Sequence, residues 1–178
     1  DGMMALAVEL VTTRVGDATL ARRLVHELVV GTNDMIAGQV YDTLGEFEET
    51  TPGLEKLHTI HRNKTGALIR ASCRMGGLCG GADEAALEAL TVYADAIGLM
   101  FQVVDDLLDV TQSTEHLGKT AGKDVDQQKL TYPALMGIDE SRSEVERLRS
   151  RAHGALADLG DRAKPLHALC DYLAVRTK

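Results

Sequence analysis

Three aspartates, Asp105, Asp106 and Asp109, lie close together in a segment that is otherwise almost entirely apolar. If this segment is helical, the carboxylates at positions i and i+4 share one face. Carboxylates in apolar surroundings are costly unless a counter-charge accompanies them. With no His or Cys nearby, oxygen donors of this kind suit a hard cation, Mg²⁺ or Mn²⁺. So few protein ligands indicate that phosphate oxygens of a substrate complete the coordination shell.

Helical periodicity places these aspartates on a helix over residues 84–110, where apolar side chains recur on two opposite sides. A helix that is apolar nearly all round is a buried helix, so its remaining polar side chains are predicted to face an internal cavity. The competing interpretation, a solvated acidic face, is disfavoured by these apolar surroundings. One narrow polar line runs along the helix: Asp95, Gln102, Asp105 and Asp109.

The rest of the chain is also predicted to be helical, so the fold class is all-α. Gly16-Asp17 ends one helix and caps the next, and Gly31 and Gly38 weaken the case for an unbroken second helix. Residues 45–53 and 111–129 are predicted loops, and a loop as long as the second is usually functional. The predicted helices cover residues 2–15, 18–44, 54–80 and 83–110, a short stretch from Pro133, residues 141–159, and the chain from Lys164 onward.

The composition is that of a single helical domain. The chain has 178 residues, 44% of them hydrophobic and only 3% aromatic, which indicates an aliphatic core. A net charge of −8 argues against nucleic acid or an anionic membrane as the main partner. Charged or polar residues interrupt every apolar run, so no membrane span is expected. The cysteines are predicted to be buried thiols of a reducing compartment, the cytoplasm or a plastid stroma: Cys73, Cys79 and Cys170.

The stretch from Phe101 to Asp109 resembles the second aspartate-rich motif of the trans-isoprenyl diphosphate synthases. Three further segments resemble motifs of that family in the same order and spacing, and four ordered matches are far more specific than one. The loop around Gly118 is most similar to that of geranylgeranyl diphosphate synthases. The other matching segments are residues 38–42 (GQVYD), residues 61–68 (HRNKTGAL), and residues 118–124 (GKTAGKD) together with 129–133 (KLTYP).

This resemblance implies a bundle of long helices around a deep central cavity, the isoprenoid synthase type of fold. Two aspartate-rich helices would face each other across the cavity and hold Mg²⁺, with Mn²⁺ as a substitute. The residues of this chain that match the family's motifs are implied to have the following roles. Asp105, Asp106 and Asp109 bind metal; Lys64, Lys119 and Lys129 bind the allylic diphosphate; Thr65, Gln102 and Asp124 orient ligands or metal-bound water; Gln39 and Phe101 line the cavity.

The implied activity is a Mg²⁺-dependent prenyl transfer in isoprenoid biosynthesis. The C–O bond of an allylic diphosphate ionises, the double bond of isopentenyl diphosphate attacks the cation, and proton loss gives a longer prenyl diphosphate, geranylgeranyl diphosphate or a similar product. Positive charge placed where the leaving diphosphate develops its charge suits this chemistry. Lys56 and Lys123 lie outside these roles and are expected to be solvated. The resemblance also implies a homodimer.

The match covers nearly all of this chain but only the latter half of a family member. The family's first aspartate-rich motif and its isopentenyl-diphosphate-binding basic residues would lie before Asp1. We therefore expect residues 1–178 to be the C-terminal part of a single isoprenoid synthase domain, with the N-terminal part missing. On this expectation the 178-residue chain alone is inactive.

Three other functions are compatible with some of these features. A non-catalytic helical subunit that partners a prenyl synthase is the main alternative, although such subunits often lose aspartates that this chain keeps. A terpene cyclase of the same superfamily is disfavoured by Lys64-Thr65 and by the glycine- and lysine-containing loop. A di-iron carboxylate bundle needs two Glu-x-x-His pairs, and this sequence has one, Glu55 with His58.

Overall fold

The helices of this protein form a single bundle in the computed structural model, which describes residues 2–45, 47–116 and 130–177, without the side chains of 112–116. No strand occurs in these ranges, and the predicted all-α class is confirmed. The elements are α1 (Gly2–Arg14), α2 (Ala18–Leu44), α3 (Gly53–His61), a π-helical turn (Arg62–Gly66), α4 (Ala67–Cys79), α5 (Glu84–His116), α6 (Tyr132–Met136), α7 (Ile138–Ala155), a 3-10 segment (Ala157–Ala163) and α8 (Lys164–Val175).

Helix α5 is the centre of the bundle and packs against α3, α4, α6, α7 and α8. Tyr93, Met100 and Val103 are completely buried along its length. Burial of one large apolar side chain such as Met100 contributes about 1.5–3 kcal/mol. The Tyr93 hydroxyl donates to the carbonyl oxygen of Leu166 in α8 at 2.8 Å. These contacts confirm the predicted buried helix over residues 84–110.

One stretch of α5, Glu84–Thr111, is long and apolar enough by length and composition to cross a membrane, contrary to the sequence expectation. In the bundle, however, 56% of its most apolar window is buried inside the protein. The apolar character therefore reflects its place as the core helix, and no clear membrane span is present in the described part of the chain.

Two arginines of α4 connect this helix to both of its neighbours. Arg70 donates to Asp34 of α2 at 2.8 Å and to Asp95 of α5 at 2.9 Å. Arg74 donates two hydrogen bonds of 2.8 Å to Glu27 of α2, and these bonds hold the pKa of that carboxyl below its usual value. Asp95 was predicted to face the cavity with Gln102, and that prediction is wrong because this ion pair uses its carboxylate.

Helix α2 is continuous, so the expected weakness at Gly31 and Gly38 is not found. Both glycines lie where α2 touches the next helical stretch. A Cβ added to Gly31 would be 2.7 Å from the Ala71 Cβ, and one added to Gly38 would be 2.2 Å from the backbone nitrogen of Lys64. The glycines therefore permit close packing of two backbones rather than a break in the helix.

The ends of several helices differ from the predicted ones. The helix predicted over 54–80 contains the π-helical turn, and α5 continues to His116, beyond the predicted end at 110. The predicted loop therefore begins as helix, and its remainder, 117–129, lies outside the described residues. The helix predicted over 141–159 begins at Ile138 and ends at Ala155. Its 3-10 continuation contains Gly160, whose φ of 58° stops regular helix.

Two local predictions at helix starts are confirmed. The Asp17 carboxylate accepts hydrogen bonds from the backbone N–H groups of Thr19 and Leu20 at 2.8 and 3.2 Å, as an N-cap does. Pro133 lies in the first turn of α6, where a missing N–H costs nothing.

The three cysteines are free, but they are not all buried as predicted. Cys170 is buried and Cys73 is half-buried, and burial raises the pKa of the Cys73 thiol to about 11. Cys79 is exposed because it is the last residue of α4, next to the turn at Gly80.

Candidate active site

A cavity of about 690 Å³ opens between the end of α2, helix α3, the π-helical turn and helix α5. Asp105 and Asp109 of α5 line it together with Gln102, as the periodicity predicted, and Asp106 lines it as well. Lys64 lies among the other lining residues, so the structure brings five of the predicted site residues together. The remaining lining residues are Tyr41, Asp42, Gly45, Phe47, Lys56, Leu57, Ile60, His61 and Leu130.

Asp105 presents its carboxylate between the cavity and the C-terminal end of the chain. Its Oδ1 forms an ion pair with the Nη2 of Arg176, and its Oδ2 is 3.4 Å from the Gln102 side-chain amide. The Asp105 side chain is 41% exposed, which leaves it open to the cavity. Asp109, one helical turn further along, is exposed at the same wall. Two carboxylates on one helical face thus point to a shared site.

Asp106 differs from its two neighbours because it is buried at 7% exposure. Its Oδ2 accepts a hydrogen bond from the backbone N–H of Tyr132 at 2.9 Å and lies 3.9 Å from His61 Nε2. The ring of Tyr132 stacks on His61 with centroids 5.8 Å apart. This carboxylate therefore connects α5 to the start of α6 through a hydrogen bond.

The π-helical turn places Lys64 in the cavity lining and Thr65 beside it. Wide turns of this kind are rare and occur frequently at functional sites. The Lys64 ammonium donates to Asp42 of α2 at 2.6 Å, and both side chains are more than a third exposed. A pair in contact with water is worth little by itself, about 0–1 kcal/mol. Lys64 can therefore exchange this partner for an anionic ligand at small cost.

Some predicted site residues lie outside the cavity lining. Gln39 is exposed, and its amide donates to the hydroxyl of Thr43 at 3.0 Å. Phe101 lies under the guanidinium of Arg176, 4.0 Å from ring centroid to Cζ. Thr65 is half-buried beside the cavity without lining it. Lys119, Asp124 and Lys129 lie outside the described residues, so their predicted roles remain predictions.

The sequence did not identify four residues that the structure places at or beside this cavity. Lys56 was expected to be solvated, yet it lines the cavity, with its ammonium 5.9 Å from the Phe47 ring centroid. Asp42 and His61 lie in segments that matched the family, so the motif positions could have identified them. Arg176 had no signal, because its partner Asp105 is 71 positions earlier in the sequence.

The donor set fits a hard divalent cation. Asp105 and Asp109 offer carboxylate oxygens at the cavity wall, and oxygen is the ligand atom that hard cations prefer. Among the residues that the structure describes, no three acidic, His or Cys side chains converge into a metal-binding group. Two carboxylates suit Mg²⁺, which usually binds few protein ligands and takes further oxygens from water and substrate phosphates.

Comparisons with known proteins point to one family. The polyprenyl synthetase family model matches residues 1–163. Geranylgeranyl pyrophosphate synthase 11, chloroplastic, of Arabidopsis thaliana is 44% identical over 183 residues, covering 99% of this chain and 51% of that protein. A geranylgeranyl pyrophosphate synthase, chloroplastic, of Catharanthus roseus is 44% identical over 181 residues, covering 99% of this chain and 50% of that protein. The chain spans about half the length of the curated relatives it matches.

Solved structures show the same fold. A geranyltransferase from Helicobacter pylori, complexed with magnesium and isoprenyl diphosphate, has a TM-score of 0.68 and 31% identity over 95% of this chain and 54% of its own. An FPP/GFPP synthase from Zymomonas mobilis has a TM-score of 0.79 and 26% identity over 95% of this chain and 57% of its own. Sequence, fold and relatives agree, and the chain belongs to the polyprenyl synthetase family.

Proposed function

We propose that this chain is part of a prenyl diphosphate synthase that joins isopentenyl diphosphate to an allylic prenyl diphosphate. The observation that carries this proposal is the cavity wall on α5, where Asp105 and Asp109 line the same cavity of about 690 Å³ as Lys64. Such a wall offers both carboxylates for a divalent cation and an ammonium group for a diphosphate. The names of the plant relatives favour geranylgeranyl diphosphate as the product.

Asp105 and Asp109 would hold Mg²⁺, and Mn²⁺ could replace it. When bound, the cation supplies Lewis-acid stabilisation of the leaving diphosphate. Lys64 exchanges its ion pair with Asp42 for a contact with that diphosphate. Lys119 and Lys129 are proposed to bind the diphosphate as well. Gln102 orients Asp105 through the 3.4 Å contact, and Thr65 and Asp124 are proposed to orient further ligands. Asp106 is proposed to support the metal site from its buried bond with the α6 backbone.

The reaction needs little acid–base chemistry from the protein. The allylic C–O bond ionises, and the bond's electron pair leaves with the diphosphate. The isopentenyl double bond then attacks the allylic cation, and loss of a proton restores a double bond. Fixed positive groups at the diphosphate lower the barrier because negative charge develops there. The apolar side chains Leu57, Ile60 and Leu130 in the same cavity limit the access of water to the cation.

The remaining assignments follow from the family. We propose a homodimer, in the cytoplasm or in an organelle such as the plastid stroma; the plant relatives include chloroplastic and mitochondrial proteins. We also propose that residues 1–178 act as the C-terminal part of a single isoprenoid synthase domain. On that basis the 178-residue chain alone gives no turnover, because the cavity wall described here contributes one metal-binding group of two.

The test replaces Asp105 by alanine in the complete gene product. With Mg²⁺, isopentenyl diphosphate and geranyl or farnesyl diphosphate, we expect kcat to fall about a hundredfold or more, since a metal-orienting carboxylate is lost. The matched control is Asp161→Ala, because that side chain is 90% exposed and is not among the residues that line the cavity. Near-normal kcat for Asp105→Ala, with prenyl products separated by chromatography, would exclude the proposed metal site.

A further inference from the structure

Arg176 contacts this site, yet neither the sequence motifs nor the proposed reaction explains it. It follows α8 in an extended conformation, and its side chain is only 10% exposed. Its guanidinium covers the Phe101 ring at 4.0 Å and donates to the Phe101 carbonyl oxygen at 3.1 Å. The same Nη2 forms an ion pair with Asp105 Oδ1. A buried guanidinium with three such contacts has a fixed position rather than a flexible one.

The guanidinium of Arg176 lies on the side of Asp105 that faces away from the cavity. It lines a separate groove between α5, α7 and α8, together with Val104, Leu108 and Val145. Asp105 lines the cavity on the other side, and Arg176 is not among the cavity residues. The guanidinium therefore holds Oδ1 from behind, and the second oxygen, Oδ2, stays on the side of Gln102 and the cavity.

We propose that Arg176 is a positioning residue, which fixes the Asp105 carboxylate so that its Oδ2 faces a divalent cation in the cavity. This inference rests on the metal role proposed above for Asp105. Carboxylates that bind metals are themselves hydrogen-bonded by outer partners, and loss of such a partner typically costs about 10–100-fold in metal affinity. In the absence of cation, the guanidinium also offsets repulsion between Asp105 and Asp109.

Arg176 thereby couples cation binding at Asp105 to the position of the residues after α8. Arg176 connects the end of α8 to α5, so a cation on Asp105 and the placement of the C-terminal residues should stabilise each other. A guanidinium that competed with the cation would give the opposite result, because its removal would then tighten metal binding. The sign of the change in metal affinity separates the two possibilities.

The experiment measures Mn²⁺ binding to the complete gene product in the presence of inorganic diphosphate, from the electron paramagnetic resonance signal of free Mn²⁺. The variants are Arg176→Gln, Asp105→Asn and the double variant, each checked for folding by thermal melting. The matched control is Arg142→Gln, which lies in the same groove but is 66% exposed and pairs with Asp139. We expect the Kd for Mn²⁺ to rise about tenfold or more for Arg176→Gln, and to stay unchanged for the control.

The double variant tests whether Arg176 acts through Asp105. We expect it to bind Mn²⁺ as weakly as Asp105→Asn alone, because the partner through which Arg176 acts is already gone. Unchanged or tighter binding by Arg176→Gln, alongside weakened binding by Asp105→Asn, would overturn the positioning role while leaving the proposed function intact. Unchanged binding by Asp105→Asn would overturn both.

Arg176→Lys provides a second test that holds even if the glutamine variant does not fold. It keeps a positive charge near Asp105 but loses the planar contact with Phe101 and the forked geometry. We expect a Kd for Mn²⁺ between those of the wild-type protein and Asp105→Asn, and a higher Mg²⁺ concentration at half-maximal activity with kcat recovered at saturating Mg²⁺. A folded lysine variant with wild-type values for both would contradict the proposal.

Discussion

Replacement of Gly38 by alanine tests whether the close contact between α2 and the π-helical turn positions Lys64. The added Cβ would lie 2.2 Å from the Lys64 backbone nitrogen and 2.7 Å from the Asn63 carbonyl carbon. Real Cβ atoms essentially never come within 3.0 Å of such atoms. Because both atoms belong to the backbone, no flexible side chain can give way, and the two helical stretches must separate by roughly 1 Å in a closely packed interior.

Two opposing effects set the magnitude. Overpacking of this kind typically costs about 1–3 kcal/mol, whereas alanine in place of glycine inside a helix gains roughly 0.5–1 kcal/mol. We therefore expect the free energy of unfolding to fall by about 1–2 kcal/mol. The backbone that moves carries Lys64, so the KM for the allylic diphosphate should also rise several-fold.

The assay is urea denaturation followed by far-ultraviolet circular dichroism, with steady-state kinetics on the same preparations. Gly76→Ala is the matched control, because Gly76 is also inside a helix but a Cβ there meets nothing within 4 Å. This control should gain roughly 0.5–1 kcal/mol. A Gly38→Ala protein as stable as the control, or one with unchanged KM, would refute the link between this contact and Lys64.

Three further predictions concern single side chains. Lys64→Ala should raise the KM for the allylic diphosphate at least several-fold, whereas Lys164→Ala, at a side chain 73% exposed, should leave it unchanged. Equal effects of the two substitutions would indicate a general electrostatic field of the protein rather than a specific diphosphate-binding site. Tyr132→Phe should change the free energy of unfolding by less than about 0.5 kcal/mol or increase it, because the buried hydroxyl has no hydrogen-bond partner among the described residues; a loss above about 1 kcal/mol would contradict this. Burial lowers the pKa of His58 from its ordinary value of 6.5. Its contribution to the free energy of unfolding is therefore complete above pH 6.5 and is lost as the pH falls through the lower folded-state pKa. His58→Gln should flatten the plot of unfolding free energy against pH in that window, and identical plots for the two proteins would exclude the effect.

Local and periodic features of this fold could be predicted from the sequence. The repeat of apolar residues along 84–110 identified α5 as a buried helix, because helical periodicity can be recognised from residues that are close together in the sequence. The spacing of Asp105 and Asp109 placed both carboxylates on the cavity face for the same reason. Asp17 and Pro133 were identified from the requirements of a helix start, which are also local.

Contacts between distant segments could not be predicted in this way. Asp95 has the same spacing as the cavity residues, yet it pairs with Arg70, and only the packing of α4 on α5 reveals this. Asp106 is adjacent to Asp105 but lies about 100° further round the helix, where its carboxylate also accepts from the Tyr132 backbone N–H. Arg176 reaches Asp105 only because α8 ends beside α5. Such pairings depend on tertiary geometry, for which a single sequence has no periodic signal.

The π-helical turn Arg62–Gly66 restricts where the sequence of this protein can gain or lose residues. A π turn holds one more residue than an α-helical turn, so the residues after it are rotated by about 100° relative to an uninterrupted helix. The buried faces of α3, at Leu57, and of α4, at Ala67 and Ala71, are each fixed by their own neighbours. Deletion of a single residue between 62 and 66 would restore regular helix and turn one of these faces toward water. Insertions and deletions should therefore accumulate in the loop at residues 47–52 and be excluded from this turn.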